Sequence, residues 1–294
     1  MQWTTRVTEL LGCKYPILQG AIAGLGNWKL AAAVANAGAH GAITASLSQT
    51  PQRLSDDIKR CKEAAAGAQG TFGVNLSIGI CPDIEAMLDV CIAEKIPIET
   101  SVYKPDALAA RIKASGLPWI HKAARVKDAV HAVEVGANAI ILVGLEGAGI
   151  KNPEQLPTMT TIIWGRSKIK VPLIAAGGIG DAHGFMAAMG MGADGIMMGT
   201  AFLATRECPI KDSFKQSIIK LTPDNPEFRQ RVMVPGPAVR PTEGIKEPVE
   251  RDWSLSASFA ATAIERIPTV KELIEGIVNG AEVILNSWAF LKSK

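Results

Sequence analysis

Eight times along this 294-residue chain a short apolar run gives way to small or polar residues and then to a helical pattern. That repetition limits the fold more than any other feature. The runs fall at 15–20, 41–44, 71–76, 96–100, 117–122, 139–143, 171–176 and from 194 onward. Near-continuous apolar runs of this length suit parallel strands buried on both faces. Helical stretches lie between them near 27–37, 51–66, from 82, at 105–115 and at 126–135. Pro82 suits a first helical turn, and Gly116 and Gly136 stop two of the helices. Eight strand–helix units in right-handed order predict an α/β fold with a closed parallel sheet, the (β/α)8 TIM barrel. An open doubly wound sheet is the competing architecture. Gly178-Ile-Gly180-Asp-Ala-His-Gly184 is superficially like a dinucleotide loop, but its spacing is not G-x-G-x-x-G. It also closes the strand series, where that fingerprint opens one.

After Thr200 the rhythm breaks. A helix is expected at 208–221, a proline-rich loop at 222–251, a helix near 256–264 and a long amphipathic helix at 269–290. Thr269 with Glu272 three residues later makes a capping box for the last. The expected organisation is a barrel over 1–205, a cover over its mouth at 206–260, and C-terminal helices at 261–294 packing back on the barrel. A hydrophobic content of 48% with 20% charged residues supports a large core and argues against disorder. A net charge of +3 is too small and dispersed for a nucleic-acid groove. No apolar run approaches the ~18 residues that span a bilayer. Cys13, Cys61, Cys81, Cys91 and Cys208 are scattered without a CxxC pair, as a reducing cytoplasm permits. The first residues lack the apolar core of a signal peptide. The expectation is a cytoplasmic protein acting on a small molecule, with a homodimer among the open oligomeric states.

The chemistry is concentrated in two turns. Val171-Pro-Leu-Ile-Ala-Ala176 runs into Gly177-Gly178, and the next strand runs into Gly199-Thr200. Read blandly, these glycines are tight turns. Two such turns in tandem instead make a cradle of backbone N–H donors for a phosphate, where an eight-fold barrel usually holds one. Active sites of such barrels sit at the carboxyl ends of the strands. Those ends carry Gln19-Gly20-Ala21, Thr44, Asn75, Thr100-Ser101, His121-Lys122, the segment 144–151, and the two glycine turns. No metal-type cluster, carboxylate pair or Ser-His-Asp set converges there, so no metal is expected. Amides, hydroxyls and bare backbone around one lysine suit a large heterocyclic cofactor such as FMN.

At these residues the chain resembles the FMN-dependent nitronate monooxygenases, a family that includes the flavin-dependent enoyl-ACP reductases. The matching segments are Tyr-Pro-Ile-Leu-Gln-Gly at 15–20, Phe-Gly-Val-Asn-Leu at 72–76, His121-Lys122 and Gly-Leu-Glu-Gly-Ala-Gly at 144–149. The two phosphate turns, Ala-Thr-Arg-Glu-Cys at 204–208 and Ile-Pro-Thr-Val-Lys-Glu-Leu at 267–273 complete them, so the likeness runs nearly the whole chain in order. It implies that Gln19, Gly20, Ala21, Ile22 and Ala23 meet the isoalloxazine, and that Asn75 and Lys122 stand at its polar edge. Gly147, Ala148 and Gly149 lie beside it, while Ala176, Gly177, Gly178, Gly199 and Thr200 hold the phosphate.

One departure bears on mechanism. After strand six the family reads Glu-Ala-Gly-Gly-His-x-Gly and uses that histidine to handle a proton. Here Ile150 stands in its place, and isoleucine moves no proton. The family's Ser-Ala-Gly-Gln becomes Ser256-Ala-Ser-Phe259. Lys122, Glu146 and Lys151 are the remaining candidates for catalysis. Of the histidines, His131 is expected on a helix surface, His40 at the far end of the barrel, and His121 behind Lys122; His183 can face a phosphate or solvent. Three functions stay open. One is nitronate-type oxidation with oxygen; another is an NADH- or NADPH-dependent flavin reductase of enoyl-thioester or quinone substrates. The third is a low-turnover barrel that binds flavin or a phosphometabolite.

Overall fold

The computed structural model describes residues 2–22, 28–149, 154–226, 228–229 and 257–288. Each apolar run forms a strand: β1 (Ile17–Gln19), β2 (His40–Thr44), β3 (Thr71–Ser77), β4 (Ile98–Ser101), β5 (Trp119–Ala123), β6 (Ala139–Val143), β7 (Leu173–Ala176) and β8 (Gly195–Met198). They pair in sequence order, and β8 returns parallel to β1 to close a TIM barrel. Alternation then divides the strands. Ile43, Val74, Ile98, Leu142 and Leu173 join the outer core beneath the helices. Leu18, Ile120, Ile141, Val143, Ile174, Ala176 and Met197 form a separate core inside the barrel.

The barrel helices are α2 (Trp28–Asn36), α4 (Pro51–Ala64), α5 (Ile84–Ala93), α6 (Asp106–Ser115), α7 (Val126–Glu134), α8 (Thr158–Lys168) and α9 (Ala182–Gly190), with a short α3 (Ala45–Ser48) after β2. No helix is expected from the sequence between the sixth and seventh strands, so α8 is an addition. A further addition is α1 (Arg6–Leu11). Thr5 caps it in a reciprocal box with Thr8, and Gly12 ends it at φ +69°. Its Val7 and Leu11 enter the inner core, and Arg6 grips Asp194, just ahead of β8, at 2.8 and 2.5 Å. This helix plugs the amino-terminal end of the barrel, leaving the carboxyl ends as the mouth.

Beyond β8 come α10 (Thr200–Leu203), α11 (Asp212–Ile219), a 3-10 turn (Phe259–Ala263) and α12 (Val270–Ser287). The 3-10 turn replaces the α-helix expected near 256–264, and the proline-rich stretch lies largely outside the described residues. The capping box of α12 is formed as the sequence specifies, Glu272 N donating to Thr269 Oγ1 at 3.1 Å and Thr269 N to Glu272 Oε2 at 2.7 Å. This helix lies against α9 and α2. A Cβ on Gly280 would stand 2.7 Å from the Ala182 Cβ, so a glycine is what permits that approach. Among the described residues no helix is long and apolar enough to cross a membrane.

Candidate active site at the carboxyl ends of the strands

Register decides which side chains share the lumen. Thr44 stands beside Asn75, Asn75 beside Glu99, Ser77 beside Ser101, and Ser101 beside Lys122. Lateral partners in a parallel sheet face the same way, and Lys122 lies two residues beyond the inward-facing Ile120. The β2–β5 side of the mouth is therefore a polar wall. Asn75 Nδ2 donates to Glu99 Oε1 at 2.9 Å and lies 3.2 Å from Ser101 Oγ. Ser77 Oγ donates to Asn75 Oδ1 at 2.7 Å. Burial pushes the Glu99 carboxyl up to about 7, against the pull of the Lys122 charge and the Asn75 hydrogen bond.

The intervening residues face the helices. Trp119 Nε1 donates to Thr100 Oγ1 at 2.8 Å, and Thr100 Oγ1 lies 2.9 Å from His121 Nδ1. Burial holds His121 down to about 4, so this imidazole is neutral and structural. Thr100, placed at the mouth by sequence, belongs to the outer layer, together with His121, expected behind Lys122. His40 is buried at the start of β2, 2.8 Å from Thr71 Oγ1. His131 pairs with Asp106 at 2.8 Å between α7 and α6. The His183 side chain is 84% exposed beside Asp181. All five cysteines are free and buried, and burial pushes the Cys81 and Cys91 thiols up to about 12.

The opposite side of the mouth, from β6 round to β1, offers backbone. Gly177 and Gly178 have φ of +106° and +75°. A Cβ on Gly177 would meet Thr158 Oγ1 at 2.9 Å, and one on Gly178 would meet the Glu146 Cβ at 3.0 Å. At Gly199 and Gly149 an added Cβ would meet nothing within 4 Å. Two glycines thus satisfy the turn, and Gly199 leaves space.

Several residues expected to act on a ligand are already engaged. The Glu146 carboxylate accepts from Thr158 N at 2.7 Å and from its hydroxyl at 2.8 Å, capping α8; it serves the scaffold rather than supplying a free base. Thr200 Oγ1 accepts from Ser258 N at 3.0 Å and lies 2.9 Å from Ser258 Oγ, tying the returning tail to the turn. Gln19, fully buried, donates to Ala42 O at 3.1 Å and accepts from Ala42 N at 3.2 Å. Its side-chain amide replaces a ladder rung where β1 and β2 pair only at Leu18 opposite His40. Gly20 N is engaged too, donating to Met198 O at 2.7 Å. Ile22 and Ala176 are buried, Ala21 and Ala148 half-buried, and Gly147 N donates to Gly144 O at 3.0 Å. Ala23, Ile150 and Lys151 lie outside the described residues.

Glu99 is the residue that sequence reading missed. A carboxylate in the middle of Ile96-Pro-Ile-Glu-Thr was the available signal, because acidic residues are seldom buried without a partner. Thr44 Oγ1 and Ser46 Oγ add a second signal: both are buried with no hydrogen-bond partner among the described residues. A buried hydroxyl left unpaired costs ~1–3 kcal/mol, which a ligand at the mouth would recover.

The family model for nitronate monooxygenase matches residues 4–80 and 82–240. The chain belongs to the nitronate monooxygenase family. It is 32% identical over 216 residues to a 5-hydroxy-7a-methyl-1-oxo-octahydro-1H-indene-4-carboxyl-CoA dehydrogenase of Rhodococcus jostii, covering 73% of this chain and 59% of that protein. It is 28% identical over 258 residues to a probable nitronate monooxygenase of Staphylococcus aureus, covering 73% and 72% respectively. FabK from Thermotoga maritima superposes with a TM-score of 0.81 at 28% identity, over 96% of this chain and 97% of that one. Nitronate monooxygenase family members are oxidoreductases, and the cofactor of the family is a flavin. The mouth fits such a group in three respects: an orphaned hydroxyl on Thr44 at the end of β2, the lysine of β5, and open space over Gly199.

Proposed function

We propose that the chain is an FMN-dependent oxidoreductase of the nitronate monooxygenase type. The observation that carries the reading is the opposition, across one mouth, of bare glycine turns after β7 and β8 to a polar wall containing Lys122. The backbone of Gly177, Gly178, Gly199 and Thr200 would take the phosphate. Asn75 and Lys122 would take the polar edge of the ring system, with Gly20 to Ala23 along its face. FMN bound there supplies reversible acceptance of two electrons. The Lys122 ammonium favours negative charge at its end of the site, and Asn75, held by Ser77 at 2.7 Å, presents a fixed amide.

Because Ile150 accepts no proton, the favoured substrate of an oxidative reaction is one already ionised, an alkyl nitronate rather than a neutral nitroalkane. A second reading is hydride exchange between NADH or NADPH and an acyl thioester, which demands orientation more than a base. The likeness to the Rhodococcus CoA-ester dehydrogenase and to FabK favours it.

The test begins with colour. The purified chain should absorb near about 450 nm or acquire that band with FMN; a colourless chain that cannot be reconstituted rejects the reading. Anaerobic mixing then separates the alternatives. Bleaching by an alkyl nitronate but not by NADH or NADPH supports the oxidase, and the converse supports the reductase. Neutral nitroalkane oxidised as fast as nitronate would show that a base is present after all.

A further inference from the structure

Glu99 has no part in the reaction drawn above, yet it is the acid that the mouth buries. Asn75 from β3 donates to it at 2.9 Å, Ser101 shares its face of β4, and the Lys122 charge, two residues along β5 from its lateral partner Ile120, acts on it. A purely structural role at this position would be served by glutamine, with its neutral amide. A carboxyl there costs desolvation free energy whenever it is charged. We propose that Glu99 is a proton-holding positioning residue, which exchanges one proton as the charge on the group bound over Asn75 and Lys122 changes.

The inference rests on the flavin reading and adds a proton to it. With Glu99 ionised, it and Lys122 sum to zero charge; with Glu99 protonated, the pair carries +1. Electrons delivered by substrate or by NAD(P)H add negative charge beside Lys122. Glu99 then takes one proton from solvent, forming its O–H bond as a hydronium O–H bond breaks, and releases it on reoxidation. Burial sets this carboxyl at about 7, so both forms are accessible at neutral pH.

The first measurement is infrared spectroscopy on the full chain as purified, with ¹³C-glutamate to identify the band. A protonated-carboxyl stretch should be present at about pH 6 and lost by about pH 8. It should be absent in Glu99→Gln. Lys122→Met should move its midpoint up by about one pH unit, since the cation facing it is gone. That variant and the wild type carry the test if Glu99→Gln does not fold.

The second measurement is the midpoint potential of the FMN-loaded chain against pH. The wild-type curve should inflect near pH 7, and Glu99→Gln should be more positive at high pH without the inflection. Absence of the carboxyl band at every pH overturns the proposal, as do wild-type and Glu99→Gln potentials that run parallel throughout. A chain that takes up no FMN overturns the coupling together with the flavin reading, whereas parallel potentials in a loaded chain overturn the coupling alone.

Discussion

The two sides of the barrel mouth share one ladder and differ in what they turn inward. From β2 to β5 the lumen receives Thr44, Asn75, Glu99, Ser101 and Lys122. From β6 round to β1 it receives Ile141, Val143, Ile174, Ala176, Met197 and Leu18. The polar side supplies side-chain chemistry and bears the desolvation of a buried carboxyl. The apolar side contributes packing, of order 1.5–3 kcal/mol for each buried Leu or Ile, and would meet a ligand through peptide groups left bare by glycine. On the proposed reading, one closed barrel assigns binding and proton handling to different strands.

The largest effect should come from filling the apolar side. Gly177→Ala puts a Cβ at φ +106°, 2.9 Å from Thr158 Oγ1 and 3.0 Å from Gly147 N. Left-handed strain with overpacking should cost about 4 kcal/mol, read as a lower denaturation midpoint. Next comes Glu99→Gln on the polar side. The folded-state pKa of Glu99 is raised to about 7, above the ~4.3 of an unfolded glutamate. From about pH 4.3 to 7 the unfolded chain therefore loses a proton that the folded chain keeps, so this group lowers stability as pH rises. The loss totals just under about 4 kcal/mol and is complete above about pH 7. Glu99→Gln should flatten that slope, and denaturation at about pH 5 and pH 8 measures it.

At the seam between the two sides, Gln19→Leu leaves Ala42 N and O buried without partners and should cost about 2 kcal/mol. The smallest effect on stability should come from Gly199→Ala, within about 0.5 kcal/mol, because the new Cβ touches nothing within 4 Å. Its FMN affinity should nonetheless fall about tenfold, the methyl occupying space meant for the ligand. Equal affinity in Gly199→Ala and wild type would move the phosphate away from β8 and break the contrast between the sides.

The barrel was legible because parallel strands buried on both faces must be apolar along their length and must end in turn residues. Thr269 and Glu272 were legible for the same reason, as their capping is local. α8 was not: its sequence, Thr-Met-Thr-Thr-Ile-Ile, is rich in β-branched residues, and its cap is Glu146, twelve residues upstream. Glu146 stands among the catalytic candidates in the sequence because the helix that engages its carboxylate is not visible there. Glu99 was hidden by the shortness of β4, whose four residues are too few to phase an alternation. Its inward direction is fixed by its lateral partners, Asn75 on β3 and the inward-facing Ile120 on β5. The tie from Ser258 to the Thr200 hydroxyl was not legible, because Ser258 arrives from a segment without periodicity.

The rung that Gln19 supplies gives the barrel a built-in gauge. Elsewhere the strands are laced by peptide to peptide, so lateral opening must unzip a run of backbone bonds. Between β1 and β2 one rotamer change at Gln19 breaks both of its bonds to the Ala42 peptide. Deuterium uptake at that single position should run ahead of its neighbours in β2 and slow when a ligand bridges the mouth, reporting closure of the cylinder residue by residue.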